Sequence, residues 1–319
     1  NSPEFLPGIQ LCRRFYWEAV RPLLDQYFPG LPHAAALIGY GSEVLGFDTP
    51  MSMDHDWHPR ALLFLDESAA SSIDPIDEML RQHLPHRFLG FSVNVQPAPE
   101  EPGTFLMQEK EAGPVDHRIR ITTLRAFCLE HLDWAPEEPL QPADWLSFSS
   151  QSLLEMTAGE VFHDGSGCLT CLRQRLAWYP EDVWRYLLAS GWQRISEEEH
   201  LMPRAGYAGD ELGSATMGSR LVRDGMNLGF LMEKQYAPYP KWFGSAFQRL
   251  DCAASLTPLF RQAQQAADWQ ARMDALCAAF EILAAMHNRL QLTPEIPARV
   301  SSFHNRPFQV IHGEVFASA

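Results

Sequence analysis

A glycine–serine pair followed by two closely spaced aspartates carries the clearest chemical signal in this chain of 319 residues. Gly41 and Ser42 come directly after the apolar run 34–40, and Asp54 and Asp56 follow a short loop. Glycine lets the backbone turn sharply against a phosphate, and a serine hydroxyl beside free backbone N–H groups can bind its oxygens. Neighbouring carboxylates repel each other unless a cation neutralises them, and Mg²⁺ prefers such oxygen ligands. The segment therefore predicts phosphate chemistry assisted by Mg²⁺ or Mn²⁺.

The elements that must position these residues are predicted to be two strands. The run 34–40 is short and continuously apolar, as in a buried strand, and 57–65 supplies a second strand whose apolar half is 61–65. Side chains two positions apart on an extended segment point to the same face. We therefore expect the carboxylates of Asp54 and Asp56 to converge on one spot.

The stretch 37–60 resembles the DNA polymerase β-type nucleotidyltransferase superfamily, which combines a Gly-Ser turn with an Asp-x-Asp motif on the second strand. It also resembles a bacterial family of unknown function, the domain of unknown function 4037 family. That second resemblance continues through 161–164, 179–186 and 236–247. The resemblance implies an α+β fold, in which a nucleotidyltransferase-like mixed sheet with helices is followed by an all-α helical bundle.

The same resemblance assigns roles to individual residues. Gly41 and Ser42 would hold the triphosphate of ATP or another NTP, and Asp54 and Asp56 would bind the metal and act in catalysis. The superfamily has a third carboxylate on a later strand, often as the base toward the acceptor hydroxyl. Asp116 is the candidate for this third catalytic and metal-binding position.

Asp116 begins a segment, 116–122, whose alternation predicts a strand. On such a strand Asp116, Arg118 and Arg120 share one face, while the isoleucines between them mark the opposite, core-facing side. Asp116 would therefore look toward the cleft. The alternative is a surface aspartate paired with Arg118 or Arg120.

Basic and aromatic residues are needed to hold a nucleotide. Lys241 follows Tyr239 and Pro240 at the start of a predicted helix, where a cation and free N–H groups can meet a phosphate. Arg60, shortly after the aspartate pair, is a second phosphate candidate, and Tyr239 can stack on a base. The alternative for Lys241 is a solvated lysine at a helix start.

Long helical patterns dominate from residue 124 onward, so we place a nucleotidyltransferase-like α/β domain at 1–123 and a helical domain at 124–319. Residues 1–5 read like an expression-vector scar and are excluded from fold reasoning. A last apolar stretch, 307–312, is interpreted as a strand that returns to the sheet.

The composition excludes several classes of protein. With 25 basic and 40 acidic residues the net charge is −15, which disfavours a broad nucleic-acid-binding face. No apolar run approaches the ~18 residues that cross a bilayer, and no signal peptide is visible, so we expect a cytoplasmic protein without a membrane partner. Cys168 and Cys171 lack the second ligand pair that a zinc site requires.

The expected activity is metal-dependent transfer of a nucleoside monophosphate, AMP from ATP, to a hydroxyl of a small-molecule acceptor. The expected partners are this nucleotide and the acceptor. One alternative is a non-catalytic nucleotide-binding sensor or regulatory protein. Another is a toxin-like nucleotidyltransferase that acts on protein or tRNA.

Overall fold

The computed structural model describes residues 4–319, and the chain divides into two compact units, residues 1–177 and 178–319. The domain boundary expected near residue 123 lies inside the first unit. The physical reason is a strand at Glu160–Asp164, which pairs with the strand at His33–Leu37 and so keeps residues 124–177 with the first unit. Local sequence patterns do not report such a long-range return.

A four-stranded mixed sheet forms the centre of the first unit. The strands of this unit are β1 (His33–Leu37), β2 (Leu62–Leu65), β3 (Arg87–Phe88), β4 (Phe91–Ser92), β5 (Val95–Pro97), β6 (Phe105–Met107), β7 (Arg120–Thr123) and β8 (Glu160–Asp164). The sheet order is β7-β2-β1-β8, where β1 runs antiparallel to β2 and β8, and β2 runs parallel to β7. The short strands β3–β4 and β5–β6 form two separate hairpins.

The first unit also contains helices, several of which contact this sheet. The helices are α1 (Gly8–Phe15), α2 (Arg21–Tyr27), α3 (Ile73–His83), α4 (Leu124–Leu132), α5 (Pro142–Ser147), α6 (Ser150–Thr157) and α7 (Cys168–Arg175). A π-helical segment, Tyr16–Val20, joins α1 to α2, whose second residue is Pro22. Since proline has no N–H to donate, a change of hydrogen-bond register at this point is physically reasonable.

The core of the first unit joins these helices to the apolar strands. Phe15, Tyr16, Leu37, Leu63 and Leu80 are members of one buried cluster. Both β1 and β2 are buried along their whole length, which explains why 34–37 and 62–65 are continuously apolar rather than alternating.

The segment 1–5, expected to be a vector scar, is described only in part. Residues 1–3 lie outside the described residues. Phe5 packs against Trp57 with 5.8 Å between ring centroids and contacts the core cluster.

The second unit is mainly helical. Its elements are α8 (Glu181–Glu199), α9 (Leu201–Tyr207), α10 (Glu211–Met232), α11 (Pro240–Phe247), α12 (Ala253–Gln265), α13 (Trp269–Arg289), β9 (Ser301–Ser302), β10 (Gln309–Val310) and α14 (Gly313–Ser318). The prediction that 307–312 returns to the main sheet is wrong, because β10 pairs with β9 in a two-stranded ribbon. Trp192, Leu221 and Phe280 lie in the core of this unit.

The expected α+β architecture, a mixed sheet with helices followed by a helical part, is confirmed. Within residues 4–319, none of the helices has both the length and the apolar character needed to cross a bilayer.

Candidate functional site

The glycine–serine turn follows β1 and is built around unusual backbone angles. Gly39 and Gly41 have φ values of +90° and +131°, a region that residues other than glycine rarely adopt. A Cβ at Gly41 would lie 2.7 Å from both Arg60 Nη2 and Glu43 Oε2. The Ser42 carbonyl accepts a hydrogen bond from Phe47 N–H at 2.8 Å. Gly41 is therefore required by close packing as well as by conformation.

A buried ion pair lies directly against this turn. Arg60 Nη2 donates to Glu43 Oε1 at 2.6 Å and to the Tyr40 carbonyl at 2.7 Å, and both charged side chains are buried. Burial lowers the pKa of Arg60, but Glu43, Cys12 and Tyr40 together raise it, and the pKa lies above its usual value. Arg60, expected at a phosphate, is thus already bound to protein groups, and these bonds fix the turn.

The two aspartates do not lie on a strand, which corrects the geometric expectation. Asp54 ends a 3₁₀ turn, Pro50–Asp54, and β2 begins only at Leu62. Asp56 has φ +53°, in the left-handed region, so the alternation of an extended chain is broken. Asp54 Oδ1 lies 2.9 Å from His55 Nδ1.

Asp56 is held by the backbone of β6. Its N–H donates to the Phe105 carbonyl at 2.9 Å, and its Oδ1 accepts from Phe105 N–H at 3.0 Å. These two bonds tie the loop before β2 to a residue far along the chain.

The two carboxylates line different cavities. The first, here called the β1 cavity, has a volume of about 410 Å³ and is lined by residues 38–40, 56, 58, 60–62, 117–120, 127, 130 and 131. The second, here called the hairpin cavity, has about 420 Å³ and is lined by residues 54, 55, 98–101 and 106. Asp56 contributes to the first and Asp54 to the second.

The arrangement does not fit a Mg²⁺ or Mn²⁺ site. Among residues 4–319 there is no group of three or more His, Cys, Asp or Glu side chains that could hold a metal ion. Asp54 and Asp56 face separate cavities, and Asp56 already accepts a backbone hydrogen bond. A divalent ion bound by both carboxylates would need a different arrangement of this loop.

Asp116 lies apart from both cavities, in a network of its own. Arg81 Nη1 contacts its Oδ1 at 2.6 Å, and the Gln96 amide donates to its Oδ2. Lys110 lies 4.0 Å away. Asp116 also precedes β7 rather than opening it, since β7 begins at Arg120. The expected orientation toward the cleft is wrong, and so is the alternative pairing with Arg118 or Arg120.

The two arginines beside Asp116 do reach the β1 cavity. Arg120 pairs with Glu130 of α4. The Arg118 guanidinium stacks on the Phe105 ring at 3.6 Å from its centroid. Among the described residues, no carboxylate lies within 4 Å of Arg118 (every ion pair found joins other groups). The alternation of 116–122 predicted that both arginines share one face, and both do line the β1 cavity.

The β1 cavity also contains histidines that the sequence analysis did not assign to a site. His58 is buried, and neither of its ring nitrogens has a hydrogen-bond partner. Burial, together with the charges of Arg60 and Arg118, holds the pKa of His58 well below its usual value. His117 accepts from Ile119 N–H through Nδ1, and burial lowers its pKa too. Both imidazoles are therefore neutral near pH 7.

Tyr40 forms the aromatic part of this wall. Its side chain is 54% exposed, an unusual fraction for a large ring directly after a buried strand. The Arg60 guanidinium lies 5.0 Å from the ring centroid. One face of the ring is thus supported while much of its surface is open.

Lys241 and Tyr239 belong to the second unit, at the start of α11. Lys241 is exposed, and its Nζ lies 5.0 Å from the Trp242 ring centroid. Tyr239 is the residue before the helix and is 40% exposed. Their expected contacts with a nucleotide stay predictions.

The chain was compared with solved structures and with curated proteins. A solved structure of a nucleotidyltransferase-like protein from Exiguobacterium sibiricum matches with a TM-score of 0.37 and 12% identity, over 90% of this chain and 82% of that chain. A likeness of this size does not assign a mechanism. No curated protein matches the sequence.

A family model matches residues 145–243, a segment that begins in α5 and ends in α11. The predicted resemblance to this family is confirmed there, while the Gly-Ser turn and the aspartates lie outside the matched segment. Residues 145–243 are therefore similar to a domain of unknown function, DUF4037.

Proposed function

We propose that the protein binds a nucleotide in the β1 cavity, as a protein of the nucleotidyltransferase class. The observation that carries the proposal is the combination, in one cavity of about 410 Å³, of the Gly39 backbone, the open ring of Tyr40 and the guanidinium of Arg118, which has no carboxylate partner among the described residues. Tyr40 offers its ring to a base, and Arg118 offers charge to phosphate. The volume lies within the usual range for small-molecule sites.

The finer proposal is transfer of AMP from ATP to a hydroxyl of a small-molecule acceptor. It is supported by the order of the motif, in which a Gly-Ser turn after β1 is followed by Asp54 and Asp56 before β2. Of the two aspartates, Asp56 is the one that lines the β1 cavity, together with Gly39 and Tyr40 directly before the turn, whereas Gly41 and Ser42 do not line it.

The second candidate function is nucleotide binding without transfer, as in a sensor. The observation that favours it is the placement of the carboxylates, since Asp54 lines the hairpin cavity and Asp116 pairs with Arg81. A phosphate subsite survives this arrangement, whereas chemistry that needs clustered carboxylates does not.

Calorimetric titration with ATP, GTP, CTP and UTP tests binding, first in EDTA and then with Mg²⁺ or Mn²⁺. We expect Tyr40→Ala to weaken nucleotide binding, because it removes about 1–3 kcal/mol of stacking. Tyr186→Ala, at an exposed tyrosine in α8, is the matched control and should bind as the unchanged protein does. Absence of nucleotide binding under all conditions would overturn the proposal.

Transfer is tested by pyrophosphate release in the presence of a cell extract as the source of acceptor. Release that disappears in Asp56→Asn supports the transferase. Nucleotide binding without release, in every metal condition, supports the sensor instead.

A further inference from the structure

One positive charge in the wall of the β1 cavity, on Arg118, has no negative partner among the described residues. The wall contains three guanidinium groups, and two of them are neutralised, Arg60 by Glu43 and Arg120 by Glu130. Arg118 is different: it stacks on Phe105 and, within residues 4–319, has no carboxylate within 4 Å. A positive charge held in place without a partner is a ready contact for an anion.

Phe105 contacts both Arg118 and Asp56, the former through its ring and the latter through its backbone. Its ring lies beneath the Arg118 guanidinium, and its backbone binds Asp56 through two hydrogen bonds. The carboxylate of Asp56 is therefore directed at the β6 backbone and does not pair with Arg118. The guanidinium is ordered by stacking, so less conformational entropy is lost when it binds an anion.

His58 is a second, independent sign of a missing ligand. The residue is only 5% exposed, it lines the same cavity, and both ring nitrogens lack a partner. Buried polar atoms in folded proteins are almost always hydrogen-bonded, so two unpaired nitrogens on one ring call for an occupant. A neutral imidazole has one N–H, and His58 can donate it to an oxyanion.

We propose that Arg118 and His58 form an anion subsite of the β1 cavity, which takes a phosphate or carboxylate group of a ligand. A cationic ligand group is disfavoured here, because three guanidiniums line the wall and the nearest carboxylates are committed to Arg60, Arg120 and the backbone of Phe105. The anion belongs either to the nucleotide itself or to a separate anionic ligand of the same cavity. Only the first of these sources rests on the proposed function.

The subsite is tested with inorganic phosphate and with citrate, at an ionic strength held constant with chloride. The readout is isothermal titration of the whole chain. We expect phosphate to bind, and Arg118→Gln to weaken it about tenfold or more, the loss of one charge-assisted contact. Arg87→Gln, which removes an exposed arginine paired with Glu109 outside the cavity, should leave binding unchanged. His58→Gln tests the second contact and should also weaken phosphate.

The inference is overturned if phosphate and citrate do not bind above the chloride control, or if Arg118→Gln binds them as the unchanged protein does. Circular dichroism of each variant shows whether it is folded. Arg118 is only half-buried, so its replacement does not open the core.

Titrations with ATP and adenosine separate the two sources of the anion. If Arg118→Gln weakens ATP but not adenosine, the anion is a nucleotide phosphate. If ATP is unaffected and protein saturated with ATP still binds phosphate, the anion belongs to a second ligand. Phosphate binding without ATP binding would support the subsite and overturn the proposed function. ATP binding with phosphate unchanged in Arg118→Gln would do the reverse.

Discussion

The Arg60–Glu43 pair is the residue-scale feature on which the β1 cavity depends. Both side chains are buried, and Arg60 also binds the Tyr40 carbonyl, so one guanidinium joins the turn after β1 to the segment before β2. An ion pair taken out of water need not add net stability, but removing one partner leaves the other charge buried and uncompensated. The Arg60–Glu43 pair therefore acts by holding the backbone of the turn in place.

Glu43→Gln should therefore lower the free energy of unfolding by about 3 kcal/mol, because Arg60 keeps its charge and loses its counter-ion. Urea denaturation followed by circular dichroism measures the loss. The control is Glu18→Gln, which breaks the exposed pair with Arg14 and should cause no measurable change. Equal effects of the two substitutions would contradict the role given to the buried pair.

At the scale of elements, the turn after β1 combines two demands on one residue. Gly41 has a positive φ, and a side chain there would also collide with Arg60 and Glu43. Gly103 isolates the first demand, since it has φ +89° and no atom within 4 Å of an added Cβ.

Gly41→Ala should therefore destabilise the protein more than Gly103→Ala does. Strained backbone at a non-glycine residue costs about 1–3 kcal/mol, and the collision adds to it only at Gly41. The difference between the two urea midpoints measures that addition. If both variants lose the same stability, packing against the ion pair is not what selects glycine at 41.

The C-terminal helix α14 is attached to α8 by one buried carboxylate. Glu199 Oε2 accepts from Ile311 N–H at 2.6 Å and Oε1 accepts from Gly313 N–H at 2.9 Å. Phe316 of α14 stacks on Trp192 at 4.4 Å between centroids. The carboxylate thus satisfies two backbone donors where the chain enters the helix.

Glu199→Gln should loosen α14 locally, because an amide presents one acceptor oxygen where the carboxylate presents two. An unsatisfied buried donor costs about 1–3 kcal/mol. Hydrogen exchange of residues 311–318 measures this opening directly. Glu197→Gln, on the exposed side of the same helix, is the control and should leave the exchange of α14 unchanged. Faster exchange in both variants would contradict the assignment.

Local patterns predicted the elements whose neighbours in sequence suffice to define them. The runs that became β1 and β2 are continuously apolar because both faces are buried. The pattern Asp-His-Asp also alternates, yet it is not a strand. Bonds to Phe105 bend it, and no local pattern reports a partner 49 residues away.

In the candidate site, too, the features set by neighbouring residues were predictable and those set by distant partners were not. The Gly-Ser turn was expected after the first strand and is found there. Arg118 and Arg120 were placed on one face and do share a cavity. The orientation of Asp116 was not predictable, because Arg81 and Gln96 come from other elements and compete for its carboxylate.

At the scale of the whole molecule, the two units differ in how their buried groups titrate. Of the described histidines, five have a pKa that burial lowers, namely His33, His58, His117, His163 and His287. The first four belong to the first unit. In the second unit burial raises the pKa of two carboxyl groups, Glu199 and Asp224.

These shifts have opposite consequences in acid. A histidine whose folded pKa is lowered contributes stability that is present above its unfolded value, 6.5, and is lost as the pH falls toward the folded value. A carboxyl group whose folded pKa is raised contributes stability that is present below its unfolded value and is lost as the pH rises. Acid therefore opposes the first unit through four histidines and the second unit through one, and the shifts of the two carboxyl groups act in the opposite direction.

We expect the first unit to lose stability before the second as the pH is lowered from 7.5 to 5.5. Hydrogen exchange followed by mass spectrometry, corrected for the intrinsic pH dependence of exchange, gives the opening free energy of each unit separately. His58→Gln should reduce the acid sensitivity of the first unit, because it removes an imidazole that must otherwise be protonated beside Arg60 and Arg118. A larger acid effect in the second unit would contradict the expectation. Buried imidazoles would then not be the groups that control the acid response.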